Sequence, residues 1–190
     1  DIMALLDVPA VRERFSIAEA HLPLLQNWLA GAGVRWGLNA QHRENFDLPA
    51  GLAQNTWDFG LQRMLLGYAL GESDGYAGIQ PYDEVGGLDA ALIGPLIHFL
   101  DALQVLHEQL HAEHHFAVWR DIFINILDRF FLVKDDSDYL LVQRMREACE
   151  LWAELCEQAG LDDAITLAVA REAWLSNIEP DHLSQRFLAG

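Results

Sequence analysis

Apolar residues recur every three or four positions along most of the chain, and this spacing predicts helices. The clearest predicted helix covers residues 57–70 and begins after Asn55 or Thr56, either of which is a good N-cap. The longest covers residues 88–114. No alternation of apolar and polar residues is long enough to predict a strand. The pattern therefore predicts an all-α protein.

The other predicted helices are shorter, and two polar segments separate them. They are a short helix with Pro9 in its first turn, a helix from a Ser16–Glu19 capping box to Gly31 or Gly33 that Pro23 interrupts, and helices at 118–132, 137–158 and 162–177, with a last turn after Pro180. Residues 37–55 and 71–87 are rich in glycine, proline and polar groups and are predicted as long loops. We expect a compact multi-helix domain with two long loops.

Length and composition suit one folded domain. The chain has 190 residues, of which 52% are hydrophobic, so we expect a single helical domain over 1–190. We expect it to be a piece of a longer chain, with residues 181–190 as a small appendage leading back into the rest. No signal-peptide pattern and no run of about 18 apolar residues stands out, so we expect a cytoplasmic protein with no membrane contact. Cys149 and Cys156 would lie about 10 Å apart on one helix, too far for a disulfide.

The charge is strongly negative. The formal net charge is −17, and Lys134 is the single lysine. Between Arg63 and Arg120 the chain has no lysine or arginine but eight acidic residues. Because nucleic acids are bound mainly by neutralising phosphates, we expect this chain alone to bind DNA poorly.

One short motif suggests metal chemistry. In HEQLH, residues 107–111, His107 and His111 have the spacing of two zinc ligands on a helix, with Glu108 as a base. His114 lies on the same predicted face. A zinc-dependent hydrolase is therefore an alternative function for this chain.

A structural interpretation of the same motif is stronger. At about 100° per residue, the three histidines border the apolar stripe of the 88–114 helix, where an apolar ring with a polar tip is well suited. Ala117 stands where zinc peptidases of this type carry a third histidine, although a downstream acid such as Glu147, Glu150 or Glu154 stays open as a ligand. We predict no catalytic residues, and name His107, His111 and His114 only as candidates for adventitious metal binding.

Other catalytic motifs are missing from the sequence. There is no glycine-rich loop ending in Lys-Ser or Lys-Thr, and no G-x-S-x-G turn around a nucleophilic serine. Paired acids such as Asp135-Asp136 and Asp162-Asp163 precede predicted helices, where carboxylates favour the helix dipole. We interpret them as caps or solvated turns.

Two segments resemble a known family. Val34-Arg35-Trp36-Gly37-Leu38 and the run Thr56-Trp57-Asp58-Phe59-Gly60-Leu61-Gln62-Arg63-Met64-Leu65-Leu66-Gly67-Tyr68-Ala69 are similar to RecC, the gamma chain of exodeoxyribonuclease V. The loop at 81–88 and the segment 184–190 support the resemblance. Between about 90 and 180 it is mostly a matching helical pattern.

The resemblance implies a non-catalytic role. It points to the helical 2B-type insertion of a superfamily I helicase fold, in a subunit that works with RecB and RecD and meets double-stranded DNA ends through the complex. Such a domain would support DNA unwinding and degradation in recombinational double-strand-break repair. It would hold no cofactor itself, whereas the parent helicase–nuclease complex would use ATP and Mg.

Four residues are candidates for contact with DNA or a partner: Arg35, Trp36, Trp57 and Arg63. An arginine can contact a phosphate, and a tryptophan can stack on a base or anchor a partner protein. The competing interpretation is that both tryptophans pack in the core or between domains, because each ring must bury a large area. Arg43 and Tyr68 are weaker candidates.

Overall fold

The computed structural model describes residues 2–71 and 73–178, and within these ranges the regular structure is helical. The α-helices are α1 (Ile2–Leu5), α2 (Pro9–Arg14), α3 (Leu22–Gly31), α4 (Ala40–Glu44), α5 (Trp57–Leu70), α6 (Ile93–Leu110), α7 (Phe116–Phe130), α8 (Asp136–Gln158) and α9 (Leu167–Ser176). Short 3₁₀ helices, Glu19–His21 and Gly87–Leu92, precede α3 and α6. The described part of the chain has two isolated β-bridges and no strand, which confirms the all-α prediction.

The described residues separate into two compact units, one within residues 1–104 and the other within residues 105–190. The first contains α1 to α5 and most of α6, and the second contains α7 to α9. That residues 1–190 act as one domain stays a prediction. The predicted appendage at 181–190 and the turn after Pro180 lie outside the described residues.

The first unit buries apolar side chains from several of its helices. Thr56, one of the two residues predicted as the cap of α5, accepts a hydrogen bond from the Phe59 amide at 3.2 Å. Met64 on α5 is fully buried. Leu25 of α3 and Phe99 of α6 are fully buried in the same unit. Removing these apolar side chains from water is the main term that stabilises this unit.

The second unit has an aromatic core formed by α7, α8 and α9. Phe123 stacks on Trp174, with ring centroids 4.5 Å apart. Two of the three buried tryptophans of this unit also satisfy their indole N–H groups: Trp119 donates to the Ile165 carbonyl at 2.8 Å, and Trp174 donates to the Met145 carbonyl at 2.9 Å. These bonds fix the rings, because a buried indole without an acceptor would be costly.

The structure corrects several predicted helix boundaries. The predicted 88–114 helix is a 3₁₀ turn followed by α6, which ends at Leu110 because His114 instead forms a β-bridge with Ile165. The Ser16–Glu19 capping box is wrong: Ser16 has a positive φ of 58°, and Glu19 binds Arg12 instead. The helix predicted from 162 begins only at Leu167.

The expectation about apolar runs also needs correction. The stretch Gly87–Leu110, with a mean hydropathy of 1.4, is long and apolar enough to cross a membrane by length and composition. The core helix of a globular protein passes the same test, and Leu92, Leu96 and Phe99 of this stretch are buried in the first unit. Packing therefore accounts for part of its apolar character, because 33% of this apolar window is buried.

Candidate interaction surface

Segment 34–56 includes the loop predicted at 37–55, and backbone hydrogen bonds tie its two ends together. The Arg35 amide donates to the Asn55 carbonyl at 2.9 Å, and the Trp57 amide donates to the Gly37 carbonyl at 3.0 Å. Because both bonds join the start of the segment to its end, the chain between them forms a closed loop. It contains the short helix α4, which the sequence analysis missed.

The side chain of Arg43, on α4, holds this loop closed. Its Nη1 donates to the carbonyls of Leu52 at 3.1 Å and Gln54 at 2.7 Å, and its Nη2 donates to the Trp36 carbonyl at 2.9 Å. The Arg43 side chain is buried, although the composition of residues 37–55 predicts a polar loop. A planar guanidinium can serve several carbonyls at once, which a lysine ammonium cannot do with the same geometry. Arg43 is therefore a structural tie.

Three aromatic rings of this loop lie next to one another at the protein surface. We call these residues, Trp36, His42 and Phe46, the aromatic surface. Trp36 and Phe46 meet edge to face with centroids 5.9 Å apart, and His42 meets Phe46 in the same way at 5.2 Å. The guanidinium carbon of Arg43 lies 4.7 Å from the centre of the Trp36 ring. Even so, Trp36 is 45% exposed and Phe46 is 58% exposed. The aromatic surface thus combines fixed backbone with accessible rings.

Arg63 ties the other predicted loop, residues 71–87, to α5 and to the residue that follows α3. From α5 its Nε donates to the Gln80 carbonyl at 2.8 Å and its Nη1 donates to the Ala32 carbonyl at 2.6 Å. The Arg63 carbonyl accepts from the Tyr82 amide at 2.9 Å. Two of its side-chain nitrogens are therefore engaged inside the protein rather than presented to a phosphate.

Tyr82 packs where segment 71–87 comes closest to the helices. A Cβ on Gly31 would lie 2.5 Å from the Tyr82 ring, and a Cβ on Gly67 would overlap the Tyr82 carbonyl, so neither position accommodates a side chain without movement. The Tyr82 hydroxyl donates to Glu84 at 2.8 Å. Burial, followed by this hydrogen bond and nearby carboxylates, raises the pKa of Tyr82 to about 12.

The four sequence candidates fall into two pairs. Arg35 and Trp36 are exposed, whereas Trp57 is buried at the start of α5 and Arg63 holds carbonyls. Contact of any of them with DNA or a partner stays a prediction. Phe46 was not among the residues predicted from the sequence, although an aromatic residue inside a polar, glycine- and proline-rich stretch is a signal that could have identified it.

The structure brings the two histidines of HEQLH together, with ring centroids 4.0 Å apart. His107 is on α6, and His111 lies just beyond its end, where its Nδ1 donates to the His107 carbonyl at 2.9 Å. His114 donates through Nε2 to the Gln109 carbonyl at 2.8 Å and packs against Trp119. Within residues 2–71 and 73–178, no three His, Cys, Asp or Glu side chains group as a metal site would require. The zinc-hydrolase alternative is therefore not supported.

Most of the positive charge of the first unit points inward. Residues 1–104 contain thirteen acidic residues and five arginines. Arg43 and Arg63 bind carbonyls, and the buried Arg12 donates to the Asp7 carbonyl at 3.1 Å and to Glu19 at 2.5 Å. Arg14 and Arg35 remain exposed. The described surface of this unit is thus more anionic than the sequence count suggests.

Fold and site together define an all-α protein with a fixed aromatic surface loop and an anionic exterior. The family model for the fourth domain of RecBCD enzyme subunit RecC matches residues 1–182, and the chain belongs to this family. The resemblance seen in segments 34–38 and 56–69 is thereby confirmed.

Full-length relatives give the same assignment. The chain is 36% identical over 192 residues to RecBCD enzyme subunit RecC of Escherichia coli (strain K12), covering all of this chain and 17% of that protein. It is 35% identical to the Haemophilus influenzae protein of the same name, covering all of this chain and 16% of the relative. The Mycobacterium tuberculosis (strain H37Rv) protein is 30% identical over 75% of the chain and 13% of its own length. The chain spans about a sixth of the first two relatives.

Proposed function

We propose that this chain is a non-catalytic structural and interaction domain of a RecC subunit. The observation that carries the proposal is the match of the RecC fourth-domain family to residues 1–182, with relatives named RecBCD enzyme subunit RecC over the whole chain. On this proposal its partners are RecB and RecD subunits. The assembled enzyme, exodeoxyribonuclease V, would unwind and degrade double-stranded DNA ends during recombinational repair in the cytoplasm.

Within that enzyme we propose that this domain corresponds to a helical 2B-type insertion. The all-α architecture is compatible with such an insertion, and the anionic exterior favours protein contacts over a DNA groove. ATP and Mg would bind elsewhere in the complex, and this domain would hold no cofactor. DNA would then be met mainly through neighbouring parts of the enzyme that supply positive charge.

The test is reconstitution of the enzyme with the intact protein that carries this chain. We expect it to co-purify with RecB and RecD subunits from the same organism and to support ATP-dependent degradation of linear duplex DNA. If this protein purifies apart from both subunits while the other components assemble, the proposal is contradicted.

A second arm tests the zinc-hydrolase alternative directly. We expect the His107→Ala variant to retain full nuclease activity in the reconstituted enzyme, with no change in bound zinc. Asp89→Ala, at an exposed site outside the histidine motif, is the matched control. Stoichiometric zinc that disappears together with a hydrolytic activity in His107→Ala alone would favour the alternative.

A further inference from the structure

We propose that the aromatic surface is a docking site for a protein segment that inserts an apolar side chain between lysine or arginine residues. The inference rests on the proposed function, because it assumes that the domain works inside a larger assembly. It goes further by naming the place of contact and the chemistry of the segment that binds there.

Large apolar side chains of segment 34–56 are accessible to a partner. Trp36, Phe46 and Leu52 of this segment are 45%, 58% and 39% exposed. Phe46 has no polar atom, so its contact with water costs free energy that an apolar partner group would recover. Scattered apolar residues are normal on protein surfaces, but here two large rings touch each other. Paired aromatic rings are typical of the residues that dominate binding energy at protein interfaces.

The rings are also fixed before any partner arrives. Arg43 holds the Trp36 carbonyl at 2.9 Å and lies against the Trp36 ring, while Asn39 caps α4 by accepting from the His42 amide at 2.8 Å. His42 in turn contacts Phe46. Each ring is thus linked to a part of the backbone that hydrogen bonds hold in place. Binding to such a surface loses little conformational entropy, which favours affinity.

Charge decides between a nucleic acid and a protein as the occupant. Single-stranded nucleic acid stacks on aromatic rings, but it also needs a positive groove that follows the phosphates. Here exposed Glu44 and Asp47 flank Phe46, and Arg43 is buried on carbonyls, which leaves Arg35 as the exposed cation of segment 34–56. The surroundings of the rings therefore repel phosphate. They attract a segment that carries lysine or arginine beside its apolar side chain.

The experiment places a photo-crosslinker in the aromatic surface of the intact protein. Phe46→p-benzoylphenylalanine is incorporated into the full-length chain, the enzyme is assembled with RecB and RecD subunits, and crosslinked peptides are identified by mass spectrometry. Tyr139, an aromatic residue of α8 that is 55% exposed, provides the matched position. We expect one dominant protein peptide from position 46, with lysine or arginine near the crosslinked residue, and no dominant product from position 139.

Two substitutions measure how much the surface contributes. We expect Trp36→Ala to weaken capture of the crosslinked peptide about 10- to 30-fold, the loss typical of an aromatic anchor, and Tyr139→Ala to leave it unchanged. Replacing Glu44 and Asp47 together by lysine should also weaken capture, whereas Asp89→Lys should not. Unchanged capture in Trp36→Ala would overturn the inference.

The remaining outcomes are equally decisive. Crosslinks from position 46 to DNA, to a second copy of the same surface, or to no defined product would each overturn the inference. Failure of the unsubstituted protein to join RecB and RecD would count against the proposed function instead. A dominant basic peptide from the same polypeptide, outside residues 1–190, would still support the docking site. The two proposals therefore fail separately.

Discussion

Gly67→Ala is the sharpest test of how segment 71–87 is held against α5. An alanine Cβ at this position would overlap the carbonyl of Tyr82 and lie 2.8 Å from the Asp83 amide nitrogen. The obstacle is backbone, which cannot rotate away as a side chain can. We expect the new methyl group to push residues 82 and 83 outward and to break the 2.9 Å bond from the Tyr82 amide to the Arg63 carbonyl.

The magnitude follows from three opposing effects. Overpacking costs about 1–3 kcal/mol and the lost hydrogen bond about 1 kcal/mol, while alanine favours the helix by about 1 kcal/mol over glycine. We therefore expect Gly67→Ala to lower the free energy of unfolding by about 1–3 kcal/mol. For a protein of this size that corresponds to a fall in Tm of at least about 2 °C.

The assay is urea unfolding of the chain followed by circular dichroism, with amide hydrogen exchange to locate the change. Gly94→Ala is the matched control, because a Cβ at this position of α6 meets nothing within 4 Å. The control should gain about 0.4–1 kcal/mol. Equal stabilities of the two alanine variants, or exchange in Gly67→Ala that is no faster at residues 82 and 83, would refute the reasoning.

Three further predictions concern buried polar groups. Arg43→Met should lower the free energy of unfolding in urea by about 2–4 kcal/mol and expose segment 34–56 to proteases, because several carbonyls lose a charged donor. The control Arg35→Met should cost less than about 0.5 kcal/mol. Tyr82 should ionise near pH 12 in a tyrosinate absorbance titration, and since its pKa is raised from 10.0, the folded state holds its proton longer and loses stability as pH rises between these values. Burial raises the pKa of Cys149 to about 12, so a thiol reagent at pH 8 should modify half-buried Cys156 first and Cys149 only after unfolding.

Each of these three has a clear contrary result. Equal protease sensitivity of the Arg43 and Arg35 variants would show that the carbonyl ties are dispensable. A titration unchanged by Tyr82→Phe at high pH would show that Tyr82 ionises with the other tyrosines. Modification of Cys149 in the folded protein at the rate of Cys156 would show that the core of the second unit opens readily.

Local signals in the sequence were sufficient for most helices but not for their ends. The helix predicted at 57–70 matches α5, because its cap, Thr56, lies next to the helix it serves. The predicted 88–114 helix ran too far, because the pairing of His114 with Ile165 joins residues 51 positions apart. A periodic pattern contains no information about such a partner.

The site shows the same limit more strongly. Arg43 and Arg63 looked like candidates for binding because arginines in polar or half-apolar segments commonly face solvent. Their acceptors are main-chain carbonyls, and any residue supplies a carbonyl, so no sequence pattern identifies them in advance. Trp36 and Phe46 could be identified as aromatic residues, but their contact at 5.9 Å depends on α4 and its ties.

Because three of its five arginines bind groups of the protein itself, the first unit presents a negatively charged surface. With Arg12, Arg43 and Arg63 engaged internally, its exterior repels polyanions, and at physiological ionic strength this repulsion decays over a Debye length of about 8 Å. A polyanion farther from this surface than about one Debye length would therefore meet little of the repulsion.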